Sequence, residues 1–353
     1  MITPKNLLIV RTDRIGDVVL SLPVVQFVKK HFPDCKITFL LREYTKRLAL
    51  NNPYIDELLV LKEKDGKPLL WDNIKQLKEK KFDTSIVVYP TFIISLIMYL
   101  SAIRNRVGTG YRWYSLLFNQ KVYEHRKTAE RHELEYNIRL LQVFGIDNPF
   151  NNTDVEFHLS EDEVSSLSVE KVLRENKIDN SKPVIIVHPG SGGSAVDLPV
   201  ASFKELINLL STLDVQIVLT GDRRERAICE ELQVNSSVKN LAGEFNLGEL
   251  ISLIKRADIF VSNSTGPLHI AAALNKHVVA FFPKILACSS KRWGPYTENK
   301  SIYVPQIDCS NCTREQCESL NCMNSINIDE VFANIKKYFK LPETNGEINA
   351  KKV

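Results

Sequence analysis

No apolar run in the sequence is long enough to cross a bilayer. The longest, FIISLIMYL at 92–100, has nine residues, where a transmembrane helix needs about 20. The first apolar run, residues 7–10, is only as long as a strand and is ended by Arg11, Asp13 and Arg14. It lacks the form of a secretory signal, so a cytoplasmic location is expected, with the seven cysteines mostly reduced. Glycine is scarce at 14 residues, and no GxGxxG follows the first strand, which weakens a dinucleotide-binding reading. Neither charge dominates: 46 Lys and Arg against 42 Asp and Glu leave +4. That balance admits an anionic ligand or an acidic membrane surface, requires neither, and gives no reason to expect a nucleic acid partner. Short-period repeats and low-complexity segments are also missing.

What is present is ordinary globular material, 44% hydrophobic and 25% charged over 353 residues, enough for two cores. Short β-rich runs alternate with amphipathic helical ones. Residues 7–10, 36–40, 57–61 and 84–89 read as strands, and 17–30, 70–80 and 131–144 as helices. A polar join at 147–154, a charged helix near 160–176 and a turn at 179–183 follow. The rhythm then restarts, with strands at 184–187, 216–219, 259–261 and 277–281. Such βαβ alternation predicts parallel, doubly wound sheets. The expected fold class is therefore α/β, with two Rossmann-like domains, 1–155 and 180–328, facing across a cleft that holds the active site.

The strand exits carry the chemistry. The first is Arg11-Thr-Asp-Arg-Ile-Gly-Asp17. Gly16 permits a tight turn into the helix, and Asp17 sits in its first turn. There Asp17 is either a helix-start carboxylate that complements the dipole or a general base facing the cleft. In the second half, His188-Pro-Gly-Ser-Gly-Gly-Ser194 places three glycines within four positions. Backbone N–H groups of such a loop, with Ser191, Gly192, Gly193 and Ser194, close readily on a pyrophosphate. Another exit ends on Glu225, either a solvated first-turn carboxylate or an acceptor for a ribose or base. The fullest signal is Val261-Ser-Asn-Ser-Thr-Gly-Pro-Leu-His269, where a strand stops and a helix begins. Ser264, Thr265, Gly266 and the helix-start N–H groups suit a phosphate, with His269 beside them; a capped βα loop is the plainer alternative.

Taken in order, these pieces resemble glycosyltransferase family 9, the ADP-heptose:lipopolysaccharide heptosyltransferases. The matching residues are RTxxxGD at 11–17, NPYID at 52–56, HPGSGG at 188–193, the Gly221–Glu225 turn, SNxTGPxH at 262–269 and WGP at 293–295. The resemblance implies a GT-B fold, with an acceptor domain at 1–155, a nucleotide-sugar domain at 180–328 and a last helix, 329–341, crossing back to the first. It implies inverting, metal-independent transfer of a heptose from ADP-heptose to the lipid A-linked inner core of lipopolysaccharide, at the inner face of the inner membrane and with no cofactor. Asp17 would deprotonate the acceptor. Thr265, Gly266 and the 190–194 loop would hold the donor diphosphate, with Ser264 and His269 nearby, and Glu225 would contact the nucleoside. Two positions depart from the pattern: Val196 stands where many relatives carry lysine, and Ser264 where they often carry Asp. Both are on the donor side. They leave open another nucleotide-sugar donor, or a protein that binds a nucleotide sugar without turnover; an epimerase on the same architecture is a further rival.

The first half offers Arg11, Arg104, Arg106 and Arg112 as acceptor contacts, with Lys121, Arg126, Lys127 and Arg131 nearby and Tyr111, Trp113 and Tyr114 among them. This surface suits an anionic, lipid-linked oligosaccharide, or is simply a solvated basic face. The apolar run before it admits peripheral membrane contact, a buried helix being the other reading. Near the C-terminus, Cys309-x2-Cys312-x4-Cys317-x4-Cys322 has spacing compatible with a structural zinc site, or with reduced thiols or disulfides.

Overall fold

In a computed structural model, which describes residues 2–146, 154–179, 181–307 and 313–339, the apolar runs form two six-stranded sheets. The first contains β1 (Asn6–Val10), β2 (Lys36–Leu41), β3 (Glu57–Val60), β4 (Thr84–Val87), β5 (Asn105–Thr109) and β6 (Gln120–Val122), in the order 3-2-1-4-5-6. The second repeats that order with β7 (Val184–His188), β8 (Gln216–Leu219), β9 (Val238–Asn240), β10 (Ile259–Asn263), β11 (His277–Phe281) and β12 (Lys300–Tyr303), laid out 9-8-7-10-11-12. Pairing in both is parallel; Val10 of β1, for example, is matched with Leu40 and Val87 on its two sides. Central strands of this kind are covered on both faces and so read as unbroken apolar runs, as LLIV and VIIV do here.

Three apolar cores follow. One lies under the first sheet's outer helices and includes Leu8, Val10, Ile97 and Met98. Another, on the second sheet, includes Val187, Phe203, Val261, Val331 and Ile335. The third is shared: Leu7, Ile9, Val18 and Val19 of the first half join Ile186, Phe260, Leu268 and Ala271 of the second. There helix Ile15–Val19 lies directly on helix Gly266–Ala273. In each sheet the strand order reverses beside the first strand, between β1 and β4 and between β7 and β10, and loops leaving such switch points flank the binding crevice of open α/β sheets.

Some elements differ from the sequence expectation. The helix expected at 17–30 is two helices, Ile15–Val19 and Pro23–His31, because Pro23 cannot donate into a continuing ladder and instead starts the second. Strands β5, β6, β9 and β12, not expected, are short and partly polar (NRVGT, QKV, VKN, KSIY). The described part of the last helix, Ile328–Tyr338, packs on helix Val200–Leu210 of the second half. Among the described residues no helix is long and apolar enough to cross a membrane.

Candidate active site

The exits of β1 and β10 meet across a cleft of about 930 Å³ with walls from both halves. Their approach depends on two glycines. A Cβ on Gly16 would stand 2.6 Å from His269 Cδ2, and one on Gly266 would stand 2.9 Å from the Ile15 Cβ. Gly16 is therefore required less by its own turn than by a helix start arriving from the other sheet.

On the first wall, Asp17 lies in the first turn of its helix with a side chain 17% exposed to the cleft. Arg11 beside it is 1% exposed and fully engaged. Its Nε donates to Asp13 Oδ1 at 2.7 Å, its Nη2 to Asp17 Oδ1, and its Nη1 to Asn137 Oδ1 at 3.4 Å. Burial opposes the Arg11 charge, but Asp13, Asp17 and Glu133 outweigh it and raise the guanidinium above its ordinary range. Burial, opposed by Arg11 and reinforced by Asp17, pushes the Asp13 carboxyl up to about 6. Deeper in, Glu133 (side chain 3% exposed) pairs with Arg126 of its own half, and with Arg292 of the second half at 3.1 Å. Burial alone would raise this carboxyl; Arg126, Arg11 and Arg292 overcome it and hold it below the ordinary carboxylate range.

The opposite wall is the β10 exit. Thr265 is the N-cap of helix Gly266–Ala273, in extended conformation, and its side chain makes no capping hydrogen bond. The plain capped-loop alternative therefore does not describe this turn. Pro267 contributes no donor, and the remaining N–H groups of the first turn face the cleft end of the helix, where the dipole favours an anion. His269 is buried, and its Nδ1 has no hydrogen-bond partner among the described residues. Burial, with His132 nearby, depresses its pKa to about 3, so the ring is neutral. Asn263 fixes the neighbouring loops: its Oδ1 accepts from Leu198 N–H at 2.9 Å and its Nδ2 donates to the Pro189 carbonyl at 2.6 Å.

Residues 70–323 match the family model described as glycosyltransferase family 9 (heptosyltransferase). The chain belongs to glycosyltransferase family 9. It is 28% identical over 343 residues to a putative glycosyltransferase of Haemophilus influenzae, covering 95% of this chain and 97% of that one. It is 25% identical over 298 residues to lipopolysaccharide heptosyltransferase 3 of Escherichia coli, covering 80% and 84%. The fold is shared with a family 9 glycosyltransferase from Veillonella parvula (TM-score 0.78, 18% identity, 95% and 97% covered). It is shared also with E. coli ADP-heptose lps heptosyltransferase II (TM-score 0.77, 21% identity, 95% and 98% covered). The two Rossmann-like halves are thus the GT-B architecture, and this member of family 9 is a glycosyltransferase.

Within the family 9 cleft, Asp17, Arg11, Arg112, Ser194, Ser264, Thr265, Gly266 and His269 come together. Ser191, Gly192, Gly193 and Glu225 are not among the residues that line the cleft. Gly192 and Gly193 have φ of 56° and 77°, conformations that favour glycine, and Arg314 holds their loop by donating to the Gly193 and Ala195 carbonyls at 3.0 and 3.1 Å. Glu225 Oε2 accepts the Asp222 N–H at 2.8 Å and lies 4.0 Å from His188 Nε2. Arg104 and Arg106 are not at the cleft: they sit at the amino end of β5, and Arg106 donates to the Ile103 and Leu117 carbonyls. Arg11, expected on the acceptor, lines the cleft with its guanidinium donating to Asp13, Asp17 and Asn137. Arg126 of the expected basic face lines the cleft, and so do Arg14, Glu133 and Arg292, which the sequence reading does not place at the site. Arg14 lies inside the 11–17 motif and Arg292 abuts WGP, so adjacency was an available signal; Glu133 had none. Cys309 and Cys312 lie outside the described residues; Cys317 and Cys322 are buried in the second-half core. Among the described residues no three metal-ligating side chains gather.

Proposed function

We propose that this family 9 enzyme transfers a heptose from ADP-heptose to an anionic, lipid-linked inner-core saccharide of lipopolysaccharide, with inversion and with Asp17 as general base. The observation that carries the reading is the juxtaposition of a first-half carboxylate and a second-half helix N-terminus on facing walls of one cleft. The naming of relatives as lipopolysaccharide heptosyltransferases supports the sugar and the acceptor. In this reading Asp17 takes the proton of the acceptor hydroxyl, the freed oxygen attacks the donor's anomeric carbon, and the bond to the diphosphate breaks. The leaving negative charge is received by the Thr265–Gly266 turn and the helix start. The loop at 190–194 and Glu225 hold the nucleotide part, and Arg112 meets the acceptor. The mechanism calls on no metal, because helix dipole and N–H groups carry the leaving-group charge. Another nucleotide-sugar donor is the second reading, favoured by Val196, whose side chain is packed in the second-half core, and by Ser264 at the cleft wall.

The test is transfer from a panel of ADP- and UDP-sugars to a deacylated core acceptor, by wild type and by Asp17→Ala. Loss of a general base lowers turnover by about 10²–10⁴-fold while nucleotide binding persists. Undiminished activity in the variant removes Asp17 from the role. Tight nucleotide binding without transfer from any donor overturns the enzymatic proposal in favour of a binding protein.

A further inference from the structure

Between Asp83 and Glu124 the chain has no acidic residue, while Arg104, Arg106, Arg112 and Lys121 fall within that stretch. The same 84–123 segment holds seven of the seventeen large hydrophobic side chains exposed among the described residues: Tyr89, Phe92, Tyr99, Tyr111, Trp113, Leu116 and Tyr123. Helix Phe92–Leu100 buries Ile94, Ile97 and Met98. Its opposite stripe, Phe92, Leu96 and Tyr99, is apolar too, where a helix facing only water carries polar residues. Phe92 stacks on Trp113 with ring centroids 5.0 Å apart, and the turn Trp113–Leu117 holds Trp113 and Leu116 outward, 72% and 71% exposed. Concentrated exposure of this kind marks an interaction site. Trp and Tyr beside Leu and unopposed basic side chains match an anionic bilayer interface, aromatic rings at headgroup depth and cations against lipid phosphates. The patch is also continuous with the cleft, since Tyr89, Tyr111 and Arg112 belong to both.

We infer that this ledge is a membrane-docking surface: Trp113 and Leu116 enter the interface of an anionic bilayer and set the first-half mouth of the cleft against it. The inference rests on the proposed lipid-linked acceptor, for it places the cleft where such an acceptor leaves the membrane. A second copy of the chain is the competing occupant. It is less suited, because the basic side chains of the patch would then face their own kind.

The experiment is co-sedimentation of the full chain with phosphatidylcholine vesicles, with and without phosphatidylglycerol, together with Trp fluorescence. Wild type binds the anionic vesicles and releases them as salt rises. The exposed double variant Trp113→Ser/Leu116→Ser loses at least about tenfold in partitioning. Trp71→Ser, which removes an equally exposed tryptophan elsewhere, changes nothing. On the acylated acceptor in vesicles the turnover of the double variant falls with its binding. Failure of transfer on the soluble deacylated acceptor by wild type would strike the functional reading, whereas vesicle binding is read independently. Equal binding by wild type and double variant, or a lipid-free dimer that the double variant abolishes, would overturn the docking surface.

Discussion

Gly16 and His269 meet across the two halves, and the contact leaves no room for a methyl group. With a Cβ at 2.6 Å from the imidazole and at 3.4 Å from the Gly266 Cα, Gly16→Ala must push either the ring or the whole helix start. Overpacking of this type costs about 1–3 kcal/mol. The neighbour that yields is identifiable, because the closest atom belongs to the side chain and the backbone stands farther off. Gly16→Ala is therefore expected to lower the urea midpoint, and Gly16→Ala/His269→Ala to recover much of that loss beyond the sum of the single effects. Simple additivity in the double-mutant cycle would show that the ring is not what the methyl strikes.

Elements meet around Glu133, on helix Glu133–Ile138, where carboxylate oxygens serve Arg126 of the same half and Arg292 of the other. Removing a buried partner leaves charges uncompensated, so Glu133→Gln is expected to cost about 3–5 kcal/mol. Arg292→Met, which removes only the cross-half partner, is expected to cost less. Chemical denaturation ranks the two, and a smaller loss in Glu133→Gln than in Arg292→Met contradicts a shared hub. This cluster also marks where the sequence stopped being informative. The runs of β1, β7 and β10 and the polar turns after them could be read directly, since a buried parallel strand and a small-residue exit are local patterns. A parallel pair needs little apolar length at a sheet edge, so β6 and β9 left almost no trace. Glu133 had no local pattern, and its link to Arg292 exists only once two sheets face one another. Arg11 is visible in its motif, but its partners Asp13, Asp17 and Asn137 converge on it only in three dimensions.

At the scale of the whole molecule, the two halves are joined by a neutral histidine. His132 Nδ1 accepts the Leu134 N–H at 3.2 Å, its Nε2 donates to the Gly294 carbonyl of the other half at 2.8 Å, and its ring lies against Tyr296. Both nitrogens are thus used in one tautomer, and adding a proton to Nδ1 abolishes the helix cap. Burial depresses this histidine from 6.5 to about 4, with the Gly294 carbonyl and Glu133 opposing. Between those values the folded chain binds fewer protons than the unfolded one, so stability is complete above about 6.5 and is lost as pH falls toward about 4. Asp13 and Asp197, both pushed up to about 6 chiefly by burial, act in the opposite sense, gaining stability as pH falls from about 6 toward 3.8. The wild-type slope is consequently a difference of opposed contributions, and His132 is isolated only by comparison. His132→Asn keeps a side-chain acceptor for the cap and removes the titration. Near pH 5 the His132 contribution amounts to about 2 kcal/mol, so the variant should lose less stability than wild type, by roughly that amount, between neutral pH and pH 5. Parallel stability-against-pH curves from urea denaturation would show that the junction does not titrate through His132.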